Sequence, residues 1–120
     1  MSTLDSSFPG SIENPLQSDP LPAAITKQRL HAIVHGRVQG VSYRFFTKQM
    51  ADTLDVTGYI YNQPDGTVEV VAEGVPQELE RLLTFLYEGS PAAQVERVDF
   101  EYTQPTGEYL AFTIRFILLD

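Results

Sequence analysis

Two stretches of this chain carry apolar residues at helical spacing. Each is set among stretches that alternate, in an order that leaves few folds open. Leu30, Ala32 and Val34 alternate with His31, Ile33 and His35, the period of a strand with one face more buried than the other. A short glycine-containing connection, Gly36 to Ser42, follows. Tyr43, Phe46, Met50 and Leu54 then recur at helical spacing, with Ser42 in position to cap the helix. Val56 to Asn62 and Thr67 to Glu73 read as two strands joined by Gln63-Pro64-Asp65-Gly66, turn chemistry suited to a hairpin. Pro76 suits the first turn of a second helix with Leu79, Leu82, Leu83 and Leu86 as its stripe, and Gly89 and Pro91 stop it. Val98, Phe100 and Tyr102 share one face of a further strand, and Phe112, Ile114 and Phe116 one face of a last.

The order β-α-β-β-α-β plus a C-terminal strand predicts an α+β fold of the ferredoxin-like, split βαβ kind, with two helices on one face of an antiparallel sheet. Before it, Met1 to Thr26 carries Pro9, Pro15, Pro20, Pro22 and several serines without a hydrophobic period. Such a composition cannot bury enough surface to order itself, so residues 1–26 are expected to be a flexible tail and 27–120 the domain. A hydrophobic content of 42% is enough for a real core. No apolar run approaches the roughly 18 residues of a membrane span, and no basic start with an apolar stretch marks a secretory signal. The expectation is a cytoplasmic protein that engages no membrane. The chain has no cysteine, which removes disulfides, a thiol nucleophile and a thiolate zinc site.

The net charge of −8 argues against nonspecific binding to nucleic acid. Its distribution is uneven: Lys27, Arg29, Arg37, Arg44 and Lys48 are basic, and no acid lies between the first and the last. Within this segment, glycines at positions 36 and 40 let the backbone turn tightly and bring successive N–H groups to face one point. The helix that begins near Ser42 adds its own unpaired N–H groups and the positive end of its dipole. Arg44 falls in the first turn, where its fork of donors can match two phosphate oxygens. The bland alternative is an ordinary strand-to-helix connection with a solvated arginine.

Asn62 ends the second strand. By alternation it shares a face with Ile60 and Gly58, while Tyr59 and Tyr61 point the other way. If Ile60 faces the helices, Asn62 lies at the edge of that face, within reach of the glycine connection. Its amide oxygen can accept a hydrogen bond from a water and aim the lone pair at a phosphorus atom. An asparagine before Pro-Asp-Gly can equally be a turn residue bonded to its own backbone.

The segment Gly36-x-Val38-Gln39-Gly40-Val41-x-Tyr43-Arg44 resembles the first signature of acylphosphatases. Gly58-Tyr59-Ile60-Tyr61-Asn62, followed by Gly66-Thr67-Val68 and Gly74, resembles the second, and the likeness runs from about Arg29 to Phe116. The resemblance implies hydrolysis of carboxyl-phosphate anhydrides to a carboxylate and inorganic phosphate, without metal, cofactor or covalent intermediate. It assigns phosphate binding to Arg44 and to the backbone of Gln39, Gly40, Val41, Ser42 and Tyr43, and orientation of the attacking water to Asn62. The expected partner is a small acyl phosphate acting on a monomer, with inorganic phosphate as product and competitive inhibitor. Tyr61 stands where the family commonly has a longer, often basic residue, and Gln63 where a small hydroxyl residue is frequent. Ile117 to Asp120 continue past the aromatic position at which many members end.

Little machinery suffices for that reaction. A carboxylate whose conjugate acid has a pKa of about 4 leaves without protonation, and phosphoryl transfer is mainly positioning and charge stabilisation. His31 and His35 read as exposed strand residues rather than metal ligands. Tyr59 and Tyr61 on the open sheet face resemble an RNA-stacking platform, but Glu69 and Glu73 on the neighbouring strand would repel phosphates. Glu96, Asp99 and Glu101 read as a solvated face. The rival reading is a non-catalytic anion-binding module of the same fold, which has no need of a water-orienting amide at position 62. A fragment-like relative of the acylphosphatase domain of larger hydrogenase-maturation proteins is a third.

Overall fold

The computed structural model describes residues 26–116. The tail expected over residues 1–26 therefore lies, apart from Thr26, outside the described residues, as do Ile117 to Asp120. The elements are Gln28–Arg37 (β1), Tyr43–Asp52 (α1), Thr57–Asn62 (β2), Val68–Gly74 (β3), Pro76–Glu88 (α2), Gln94–Thr103 (β4) and Phe112–Arg115 (β5). They build one five-stranded sheet in the order β4-β1-β3-β2-β5, with both helices packed on one face.

Four strands pair antiparallel as the sequence order predicts, while β5 joins the outer edge of β2 in parallel. The sheet is therefore mixed. Because β1 and β2 both run antiparallel to β3, they are parallel to each other, and β5 follows β2. The C-terminal ends of β1, β2 and β5 consequently emerge on one edge of the sheet.

Alternation selects the core. Leu30, Ala32 and Val34 of β1, Val68, Val70 and Ala72 of β3, and Ile60 of β2 face the helices and are fully buried. Leu79, Leu82 and Leu86 of α2 close on them from above. Burial of such side chains contributes about 1.5–3 kcal/mol each. The buried face of α1 differs in part from the expected stripe: Tyr43 turns inward as expected, but Thr47 and Ala51 join it there, and Phe46, Met50 and Leu54 flank them half-buried. The small Thr47 and Ala51 bring the helix axis close to the sheet, which leaves the bulkier side chains at the margins.

The opposite face is partly covered by the connection between β4 and β5. There Glu73, expected among exposed acids, is only 4% exposed. Its carboxylate accepts bonds from the Thr106 and Gly107 N–H groups at 2.7 and 2.9 Å and from the Thr106 hydroxyl at 3.0 Å, with Arg29 at 3.6 Å. Burial alone would push the Glu73 pKa up, but these donors and Arg29 outweigh it and hold the carboxyl below its ordinary range. Tyr109 from the same connection packs edge-on against Tyr59 at 5.9 Å. Long-range pairing of this sort leaves no local trace in a strand period.

A depressed folded-state pKa means that ionised Glu73 contributes stability above the unfolded carboxyl pKa and loses it as the pH falls through the folded value. Glu73→Gln should therefore cost about 1–3 kcal/mol at pH 7, and the gap to the wild type should narrow below about pH 4. Urea denaturation across that range checks it. A gap that stays constant down to pH 3 would contradict the account.

Candidate active site

The connection from β1 to α1 meets Asn62 and the end of β5 at the shared sheet edge. Gly40 (φ 71°) and Ser42 (φ 61°, ψ 24°) both lie in the left-handed region. That conformation is open to glycine, but at Ser42 it costs of the order of 1 kcal/mol. The first helical bond runs from the Phe46 N–H to the Ser42 carbonyl at 3.1 Å. Among the described residues, none accepts a hydrogen bond from the N–H groups of Gly40 to Phe45. Ser42 occupies the N-cap position as expected, but its side chain makes no cap bond. Without that bond the first helical N–H groups stay open.

Two sets of contacts hold this strained connection. On one side the Gln39 amide donates to the Gln63 and Thr67 carbonyls at 2.8 and 2.9 Å, strapping the connection to the β2–β3 hairpin. On the other, the Ser90 hydroxyl donates to the Val41 carbonyl at 2.7 Å and the Tyr43 hydroxyl to the Leu86 carbonyl at 2.6 Å. Burial pushes the Tyr43 pKa well up, so the phenol remains a donor. A Cβ at Gly89 would come within 2.9 Å of the Tyr43 ring, so glycine there makes room for it. The end of α2 thus braces the connection from behind. Ser90 and Gly89 have this role although their sequence context reads only as a helix stop, and Gln39 and Tyr43 act through side chains as well as backbone.

The hairpin is equally constrained. The Thr67 hydroxyl donates to Asp65 at 2.6 Å and lies 2.8 Å from the Gln63 side-chain oxygen, and the Thr67 N–H donates to Asp65 at 2.9 Å. These bonds from Thr67, the hydroxyl first, hold the Asp65 carboxyl below its usual range. Asn62, one residue before this turn, has a buried Oδ1 that accepts no hydrogen bond from any described residue. An unsatisfied buried acceptor costs about 1–3 kcal/mol, so the Asn62 oxygen is not serving the turn.

Arg44 reaches the same place from α1. A cleft of about 400 Å³ is lined by Arg44, Asn62, Gly40, Ser42, Phe45 and Phe116 among others. A second cleft of about 530 Å³, lined by Gln39, Gln63 and Pro64, shares Arg44, Asn62 and Phe116 with it. The guanidinium donates weakly to the Arg115 carbonyl at 3.4 Å and lies 5.1 Å over the Phe116 ring. Arg29 pairs with Glu73 and Lys48 with Asp52, whereas Arg44 meets no carboxylate among the described residues. Its charge is thus available to an anion.

The other candidates lie on the opposite face of the sheet from the helices. His31 bonds Glu69 at 2.8 Å, and His35 bonds Asp99 at 3.0 Å. Among the described residues no group of three His, Asp or Glu side chains is placed to hold a metal ion. Tyr59 is covered by the Arg115 guanidinium at 3.8 Å and bonds Glu69 at 3.1 Å. Burial first, and then the Glu69 charge, push its pKa up to about 12. A ring so covered is not an open stacking platform. No helix among the described residues is long and apolar enough to cross a membrane.

A sequence model of the acylphosphatase family matches residues 30–114. The chain belongs to the acylphosphatase family. It is similar to an acylphosphatase of Pelotomaculum thermopropionicum, 44% identical over 92 residues that cover 77% of this chain and 100% of the relative. An acylphosphatase of Deinococcus radiodurans is 49% identical over 79 residues, 66% of this chain and 91% of its own. The crystal structure of an acylphosphatase from Bacillus subtilis superposes with a TM-score of 0.71 at 32% identity, covering 73% of this chain and 98% of that one. As a member of the acylphosphatase family the chain is a hydrolase of small acyl phosphates, with the ferredoxin-like fold of these neighbours.

The Gln39 strap is the contact most directly linking the two halves of the cleft. Gln39→Leu, which fills similar space without the donors, should lower unfolding free energy by about 1–2 kcal/mol in urea. Gln39→Asn, one methylene shorter, should not restore it. A loss within about 0.3 kcal/mol, the scatter for neutral surface changes, would mean that the strap is not made in solution.

Proposed function

We propose that hydrolysis proceeds by metal-independent, in-line attack of a water positioned by Asn62 on a phosphoryl group held by Arg44 and the backbone N–H groups of residues 39–44. The observation that carries this reading is the buried, unpartnered Asn62 Oδ1 in the cleft that Arg44 also lines. The open N–H groups and the uncompensated guanidinium supply donors for three phosphoryl oxygens, and the helix dipole favours the same charge. The Asn62 oxygen accepts a hydrogen bond from one O–H of the water and leaves the lone pair on the attacking side. The new P–O bond forms as the bond from phosphorus to the acyl oxygen breaks. The bonding pair departs with the carboxylate, and the water's proton passes to a phosphoryl oxygen or to solvent. With a leaving group whose conjugate acid has a pKa of about 4, neither a general acid nor a protein base is needed.

An anion-binding module without catalysis would use the same loop and Arg44, but it would not keep an unpartnered amide oxygen beside them. Asn62→Ala tests the difference. If Asn62 orients water, its loss should lower kcat roughly 10²–10³-fold, the scale for one positioned polar group in a transition state. Inhibition by inorganic phosphate should change little, because the loop and Arg44 remain. A destabilised variant with nearly unchanged kcat would instead make Asn62 a turn residue.

Arg44→Lys keeps the charge but not the fork. It should weaken competitive inhibition by phosphate and lower kcat/KM at least tenfold. Near-normal kinetics in the folded variant would remove Arg44 from the mechanism. Exhaustive chelation should leave turnover intact, and loss restored by Mg²⁺ or Zn²⁺ alone would refute metal independence.

A further inference from the structure

The cleft that holds Arg44 and Asn62 has a second, chemically different wall. Phe45 is 54% exposed and Phe116 65% exposed, and Ile114 lies in the same lining. Phe45 meets Phe46 edge-on at 5.6 Å and keeps more than half of its surface open. Phe116 stacks on the Arg44 guanidinium at 5.1 Å. Two exposed rings and a branched aliphatic side chain thus stand next to Arg44 and Asn62.

Chain topology explains the juxtaposition. Phe45 follows Arg44 directly in the first turn of α1, and the parallel run of β5 beside β2 carries Ile114 and Phe116 to the edge where Asn62 ends its strand. Apolar area left in water is unfavourable, and a ligand that covers it recovers that free energy. A cleft of about 400 Å³ is of a size for a small molecule.

We propose that Phe45, Phe116 and Ile114 form the subsite for the acyl group, and that this enzyme selects acyl phosphates whose acyl part is uncharged and apolar, an aryl or branched aliphatic group. The proposal rests on the placement of the phosphoryl group at Arg44 and the loop described above. In a carboxyl-phosphate anhydride a single bridging oxygen separates phosphorus from the acyl carbon. Whatever grips the phosphoryl group therefore fixes the acyl body within a few bonds, against the adjacent wall. Among the described residues lining this cleft, Arg44 is the single basic side chain. An acyl group with a second anionic end would find no further cationic partner there and would lie against the rings.

The test compares kcat/KM for benzoyl, isobutyryl, acetyl and succinyl phosphate in the wild type, Phe45→Ala, Phe116→Ala and the double variant. The wild type should favour benzoyl and isobutyryl phosphate over acetyl phosphate, and disfavour succinyl phosphate. In the double variant the benzoyl-to-acetyl ratio should fall at least tenfold, whereas Phe45→Leu should keep most of it. Because it is the change in a ratio between proteins, this readout cancels the intrinsic reactivity of each anhydride and any inactive fraction. It also cancels a uniform effect of Phe116 on Arg44. A ratio that is unchanged while all substrates slow together would overturn the subsite. Failure of the underlying reading is separable: phosphate inhibition and kcat/KM left near normal in Arg44→Lys would refute the phosphoryl placement, whatever the ratios in the Phe variants.

Discussion

A row of backbone N–H groups with no internal acceptor is an unfavourable thing for a folded chain to keep, and the architecture at this sheet edge maintains one from Gly40 to Phe45. Left-handed Ser42 adds strain of the order of 1 kcal/mol. Set against that are the two bonds from Gln39, one from Ser90 and one from Tyr43. Each contributes about 1 kcal/mol net, so the braces together exceed the strain. The connection is held in a shape it would not adopt alone, and its N–H donors stay open because every brace attaches to side chains or carbonyls instead.

Topology decides which residues share that edge. Two strands antiparallel to a common neighbour end on the same side, which brings the β1–α1 connection to Asn62 across the width of β3. The parallel fifth strand then delivers an apolar wall to the same place. A row of open N–H groups, a buried amide oxygen and an exposed aromatic surface thus follow from one arrangement of strands, and the Gln39 strap fixes the spacing of the first two.

Much of this was legible in the chain because it is periodic or local. The alternation at Leu30, Ala32 and Val34, the Pro-Asp-Gly turn and the α2 leucine stripe specify elements from their own neighbourhoods. The approach of Arg44 to Asn62 was readable as far as alternation gives Asn62 a face. What local pattern could not carry are contacts between distant segments. Ser90 reaches Val41 across 49 positions, and Thr106 reaches Glu73 across 33. The second turned an acid with an exposed-looking period into a buried one. The inward turn of Thr47 and Ala51 depends on how closely α1 approaches the sheet, which no helical period states.

The central claim is that the N–H groups of residues 39–44, with the Arg44 guanidinium, receive a phosphoryl group. Titration of the folded protein with inorganic phosphate, followed by amide ¹H–¹⁵N chemical shifts, addresses it directly. The account predicts saturable changes that are largest at the amides of residues 39–44 and at the Arg44 Nε, with the same pattern in Asn62→Ala. Changes centred elsewhere, as around His35 and Arg97, or no saturable change in the loop, would contradict it.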